Sequence, residues 1–102
     1  MEELEKSIRA NRLFDFYGSL LTEHQQNIFR LYFEMDLSLS EIAEELEISR
    51  NGAYDAIKKS LSIMEDYETK LSLIKKEENI ENYLKDNLID EEVINGVIER
   101  MK

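Results

Sequence analysis

Six residues in one short run have the types and spacing to touch a nucleic acid: Ser49, Arg50, Asn51, Tyr54, Lys58 and Lys59. Arginine and lysine neutralise phosphates. Asparagine in the first turn of a recognition helix points outward to a base or a phosphate. Tyr54 lies four residues from both Arg50 and Lys58, so all three share a helix face. A tyrosine between two cations suits stacking on a splayed base. It equally suits a ring folded onto the domain's own core, and the sequence leaves both readings open. Gly52 either allows a close backbone approach or is a neutral residue at a helix start.

Catalysis has little to work with. His24 is the single histidine and falls in the first turn of a surface helix. Cysteine is absent, so no thiolate, disulfide or zinc finger is available. There is no phosphate-cradling glycine loop. Glu44-Glu45, Glu77-Glu78 and Asp90-Glu91-Glu92 are acidic runs that solvated helix faces and caps explain. The expectation is a non-enzymatic protein with no catalytic residues, metal or cofactor.

The six residues need a helix and something to hold it. Ser38 is a candidate N-cap with Glu41 three residues on, a capping box. Ile42, Ala43 and Leu46 then give a first helix its buried face, and Ile48 plugs the following turn. Ser49 caps a second helix whose Ala53 and Ile57 face inward. This is a helix-turn-helix. Its turn often carries a left-handed glycine; Glu47 stands there, at a cost of about 1–2 kcal/mol if it keeps that conformation.

Two helices precede the motif. Over residues 4–20, Leu4, Ile8, Leu13, Phe14, Tyr17, Leu20 and Leu21 keep a helical period, broadened by Phe16. Thr22 with Gln25 forms a second capping box, and Ile28, Phe29, Leu31, Tyr32 and Met35 supply the next apolar face. Beyond the motif, no breaker stands before about Glu77. A continuous helix from Ser49 to Lys76 is expected, about 40 Å long, ending near Asn79. Ile57, Met64 and Leu71 repeat every seven residues, with Ser60, Tyr67 and Ile74 alongside. This seam packs either on the first helix of the same chain or on a partner, and a homodimer is expected. Asp90 caps a last helix bearing Val93, Ile94, Val97, Ile98 and Met101, either a flap over the core or an arm for a partner.

Composition agrees with an all-α protein. The 102 residues include no proline and three glycines, enough for one domain. The expected division is a helix-turn-helix domain over 1–76 and an acidic helical tail over 77–102. No apolar run approaches a membrane span and no basic-then-apolar leader is present, which predicts a cytoplasmic protein. Net charge is −10. A nucleic-acid binder usually has a basic footprint, yet Ser49–Leu61 holds three bases against one acid. That is a small basic island on an acidic body, suited to a weak or assisted contact.

Residues Leu21 to Leu61 resemble the fourth region of bacterial sigma factors. The shared pattern is Leu21-Thr22-Glu23, then Ser38-Leu39-x-Glu41-Ile42-Ala43-Glu44-Glu45-Leu46, then Ile48-Ser49-Arg50. A closer resemblance is to the YlxM family. It rests on Tyr32 with Asp36, on Ser38 to Glu44, on Ser49-Arg50 and on Ala53-Tyr54-Asp55-x-Ile57-Lys58. Tyr67-Glu68-x-Lys70-Leu71 continues it, and it covers roughly Ile8 to Lys76. The resemblance implies a wing-free, sigma-region-four-like helical domain associated with the signal recognition particle. Its partners would be the particle's GTPase and RNA, with Ser49, Arg50, Tyr54 and Lys58 facing nucleic acid. Asn51-Gly52, where Gln-Ala is commoner, and the residues after Glu78 depart from the pattern. A sequence-specific DNA-binding regulator and a protein adapter using the Ile57–Met64–Leu71 seam are the competing readings.

Overall fold

The computed structural model describes residues 2–87 and 89–102, the backbone alone at Glu2; Met1 and Leu88, which fall within the two expected segments, lie outside the described residues. The described residues form helices and connecting turns, without strands. Helix α1 spans Glu2–Tyr17 and runs into a tight turn of 3-10 helix, Gly18–Leu20. Helix α2, Glu23–Phe29, starts on the Thr22–Gln25 capping box, with both reciprocal hydrogen bonds formed. It widens into a π-helical turn over Arg30–Glu34. Helix α3 spans Leu39–Leu46, α4 Arg50–Leu71, α5 Leu73–Asp86 and α6 Glu91–Met101.

Two apolar clusters share one spine. In the first, Ala10, Leu13 and Tyr17 of α1 meet Leu21, Phe29, Met64 and Ile74. In the second, Ile28, Ile42, Ala53 and Ile57 lock α2, α3 and α4 together. Phe33 and Leu61 touch both clusters and make the core continuous. Phe14 stacks on Phe29 with ring centroids 4.3 Å apart.

Three expectations about this frame change. Leu4, Ile8 and Leu20 are exposed, and Ala10 takes the inward position on α1. Met35 is exposed as well. The π-helical turn rotates the end of α2: Met35 N–H donates to the Arg30 carbonyl five residues back. Phe33, rather than Met35, then faces the core.

The third change concerns the long helix, which stops at Leu71 instead of continuing to Lys76. Ser72 takes a left-handed conformation, φ 55°, and α5 starts afresh. Asn79, the expected breaker, lies inside α5. The cause is tertiary. The Glu68 carboxylate accepts the N–H of Ile74 at 3.0 Å and of Lys75 at 3.4 Å, so it caps the new helix. The Tyr17 hydroxyl donates to Glu68 at 2.6 Å and accepts the Leu73 N–H at 3.2 Å. The break folds α5 back onto α1, where Arg12 pairs with Glu77 and Glu78. The expected boundary at 76/77 therefore falls within α5, whose Ile74 and Glu77 are buried in the body.

Candidate nucleic-acid interface

The interface is built on the start of α4. Ser38 and Glu41 complete their capping box and fix α3. Glu41 is held below the usual carboxylate range by hydrogen bonds from the Ser38 backbone and hydroxyl. The turn that follows is a Schellman motif: Ile48 N–H bonds the Ala43 carbonyl at 3.0 Å and Glu47 N–H the Glu44 carbonyl. Glu47 does occupy the left-handed region, φ 55° and ψ 43°. Ile48 then packs with Ile42 and Ala53.

Ser49 caps α4, its Oγ accepting the Gly52 N–H at 2.9 Å. A Cβ at position 52 would stand 3.0 Å from that oxygen, so glycine leaves room for the cap. Ala53 and Ile57 are buried and turn the opposite side of the helix to solvent. Ser49, Arg50, Asn51, Tyr54, Lys58 and Lys59 are all exposed there. Tyr54 is 48% exposed, which decides between its two readings in favour of the outward ring. Lys58 Nζ lies 5.8 Å from the centre of that ring, within cation–π range. Asp55, the one acid counted over Ser49–Leu61, shares the surface.

Among the described residues, Arg50, Lys58 and Lys59 make no ion pair. The bases of α1 differ: Arg9 is bidentate on Glu65 at 2.9 Å, and Arg12 is engaged by Glu77 and Glu78. These three bases thus leave positive charge unneutralised at the exposed start of α4, beside an open aromatic face. Such a surface can hold a phosphate backbone and stack a base. No described group of His, Cys, Asp or Glu is placed to hold a metal ion.

The five apolar seam residues separate. Ile57, Met64 and Ile74 are buried in the chain's own core. Tyr67 packs against it, its ring 6.0 Å from that of Tyr17. Leu71 alone of the five is exposed. Most of the heptad spacing is thus satisfied within one chain: Met64, Tyr67 and Ile74 pack in the cluster built on α1, and Ile57 in the cluster of α2 and α3. His24 is exposed on α2. No helix among the described residues is long and apolar enough to cross a membrane.

Comparison with known proteins bears on this geometry. The model of a family described as "Putative helix-turn-helix protein, YlxM / p13 like" (UPF0122) matches residues 4–102. The match continues through the rest of α5 and α6, beyond Lys76, where the resemblance read from the sequence stops. UPF0122 proteins of Streptococcus pneumoniae strains Hungary19A-6 and CGSP14 are each 43% identical over 99 residues. The alignment covers 89% of this chain and 90% of theirs.

Proposed function

Because this chain belongs to the UPF0122 family of YlxM/p13-like helix-turn-helix proteins, we propose that it is a non-enzymatic accessory factor of the bacterial signal recognition particle, acting in the cytoplasm. It engages the particle's GTPase, its RNA or both through the start of α4. The observation that carries this reading is the exposed Arg50–Tyr54–Lys58 surface, without an ion pair among the described residues, on a chain of net charge −10. Three cations supply a short phosphate contact, and Tyr54 a stacking platform for an unpaired base. The acidic remainder repels a long polyanion but favours a basic protein, so a ribonucleoprotein suits it better than naked nucleic acid.

The test is titration of the full chain against the particle RNA, the GTPase and their complex at two salt concentrations, with a random DNA duplex as control. Tightest binding to the complex is expected. No binding to any particle component, or equal binding to the duplex, would remove the reading.

A DNA-binding regulator is the second reading. Arg50 and Asn51 in the first turn are the types that read guanine and adenine edges in a major groove. It requires a preferred duplex site whose affinity falls steeply with salt. A screen of genomic fragments that yields no preferred site removes it.

A further inference from the structure

Helix α6 presents to solvent a face that the described residues leave largely uncovered. Ile94 is buried. Val93, Gly96, Val97 and Arg100, at the i, i+3, i+4 and i+7 positions of a single face, are exposed, Val93 by 56% and Val97 by 37%. A Cβ built on Gly96 meets nothing within 4 Å. A glycine in mid-helix is unfavourable, and the fold makes no use of the space it leaves.

The molecule as a whole also exposes more surface than its mass requires. Its accessible area is 7311 Å², against about 6,000 Å² for a compact monomer of this mass. Its radius of gyration is 16.0 Å, against about 13 Å. The excess, about 1,300 Å², exceeds the roughly 800 Å² that each partner contributes to a standard stable interface.

The charges on α6 select the occupant. Asp90, Glu91 and Glu92 stand at its start, and Arg100 at its end makes no ion pair among the described residues. A second α6 laid antiparallel sets each Arg100 against the other's acidic first turn and opposes the two helix dipoles. It also pairs Val93 with Val97 across a two-fold axis, with Gly96 admitting the close approach. We infer that the chain forms a symmetric homodimer through an antiparallel α6–α6 contact centred on Val93, Gly96 and Val97. This surface differs from the heptad seam, of which the core takes up all but Leu71, and is independent of the reading given to α4.

Sedimentation equilibrium of the full chain over ~1–100 µM tests it, a range that spans ordinary dimer affinities. The expected result is twice the 12.1 kDa chain mass. Val93→Glu with Val97→Glu should weaken association by about 100-fold or more. Gly96→Leu improves helix propensity in open space, so the monomer stays folded by circular dichroism. It should still weaken the dimer by about tenfold or more by blocking close approach. A monomer throughout the range overturns the inference. So does any higher assembly, or a dimer that either variant leaves unchanged while helicity is retained.

Discussion

The Tyr17 hydroxyl donates a 2.6 Å hydrogen bond to the Glu68 carboxylate, across 51 positions of sequence, and that carboxylate caps the helix starting at Leu73. One pair of side chains thus ties α1 to the point where α4 ends and α5 turns back. Tyr17 is fully buried, so its hydroxyl depends on these partners. Tyr17→Phe should cost about 1–3 kcal/mol, because a half-buried carboxylate and the Leu73 N–H both lose a partner. Urea unfolding followed by circular dichroism measures it; a cost under about 0.5 kcal/mol would mean that the helix break does not need this bond.

The same pair predicts how stability varies with pH. Burial pushes the Glu68 carboxyl up, but hydrogen bonds from Tyr17, Ile74 N–H and Lys75 N–H outweigh it and leave it below the ordinary range. A carboxyl lowered in the folded state adds stability that is full above its unfolded value, about 4.3. That stability is lost as pH falls through the lowered folded value. Burial first, and the bond to Glu68 second, push the Tyr17 phenol up to about 12. Its contribution is full below the ordinary value of about 10 and is lost as pH rises from there to about 12. Unfolding free energy should therefore fall at both extremes. Glu68→Gln should flatten the acid limb and Tyr17→Phe the alkaline one; wild-type curves from both variants would refute the assignment.

Gly18 is required by contact rather than by backbone conformation. A Cβ there would stand 2.7 Å from Phe14 Cδ2, and the Phe14 ring is held by its stack on Phe29. Gly18→Ala should destabilise by about 1–3 kcal/mol, the usual range for overpacking. Thermal melts give the answer, and an unchanged midpoint would show that the stack can shift.

Glu47 predicts the opposite sign. It holds a left-handed backbone that costs a side-chain-bearing residue about 1–2 kcal/mol. Glycine relieves that cost but has more chain entropy to lose, by about 0.5–1 kcal/mol. Glu47→Gly should thus stabilise by several tenths to about 1 kcal/mol. A lower melting temperature would contradict the account of the turn.

Binding should separate from folding at α4. Arg50→Ala with Lys58→Ala removes two exposed cations and no buried contact, so the melting temperature should stay within about 1–2 °C. The slope of log affinity for RNA against log salt should fall by about 1.4, at about 0.7 per cation lost from a single strand. Tyr54→Ala should instead weaken binding by about 1–3 kcal/mol with the slope unchanged. An unaltered slope in the double variant would exclude α4 from the interface.

The sequence by itself determined whatever is settled within one or two helical turns. Thr22 with Gln25 and Ser38 with Glu41 are three apart, so each capping box can close without outside help. Ser49 likewise caps α4 alone, and the inward Ala53 and Ile57 fix which residues face out. The helix-turn-helix and its outward Arg50, Asn51 and Lys58 were legible for that reason, whereas the exposure of the Tyr54 ring was not. The tertiary structure decided the rest. Local propensity favours one helix through Ser72, and only a tyrosine on α1 and the carboxylate it orients make two helices better than one. The π-helical turn that exposes Met35 sets Phe33 between both apolar clusters. A heptad spacing says that a surface must be covered, but not by which helix. That choice fell to α1, because Tyr17, Arg9 and Arg12 all find partners on or just beyond α4.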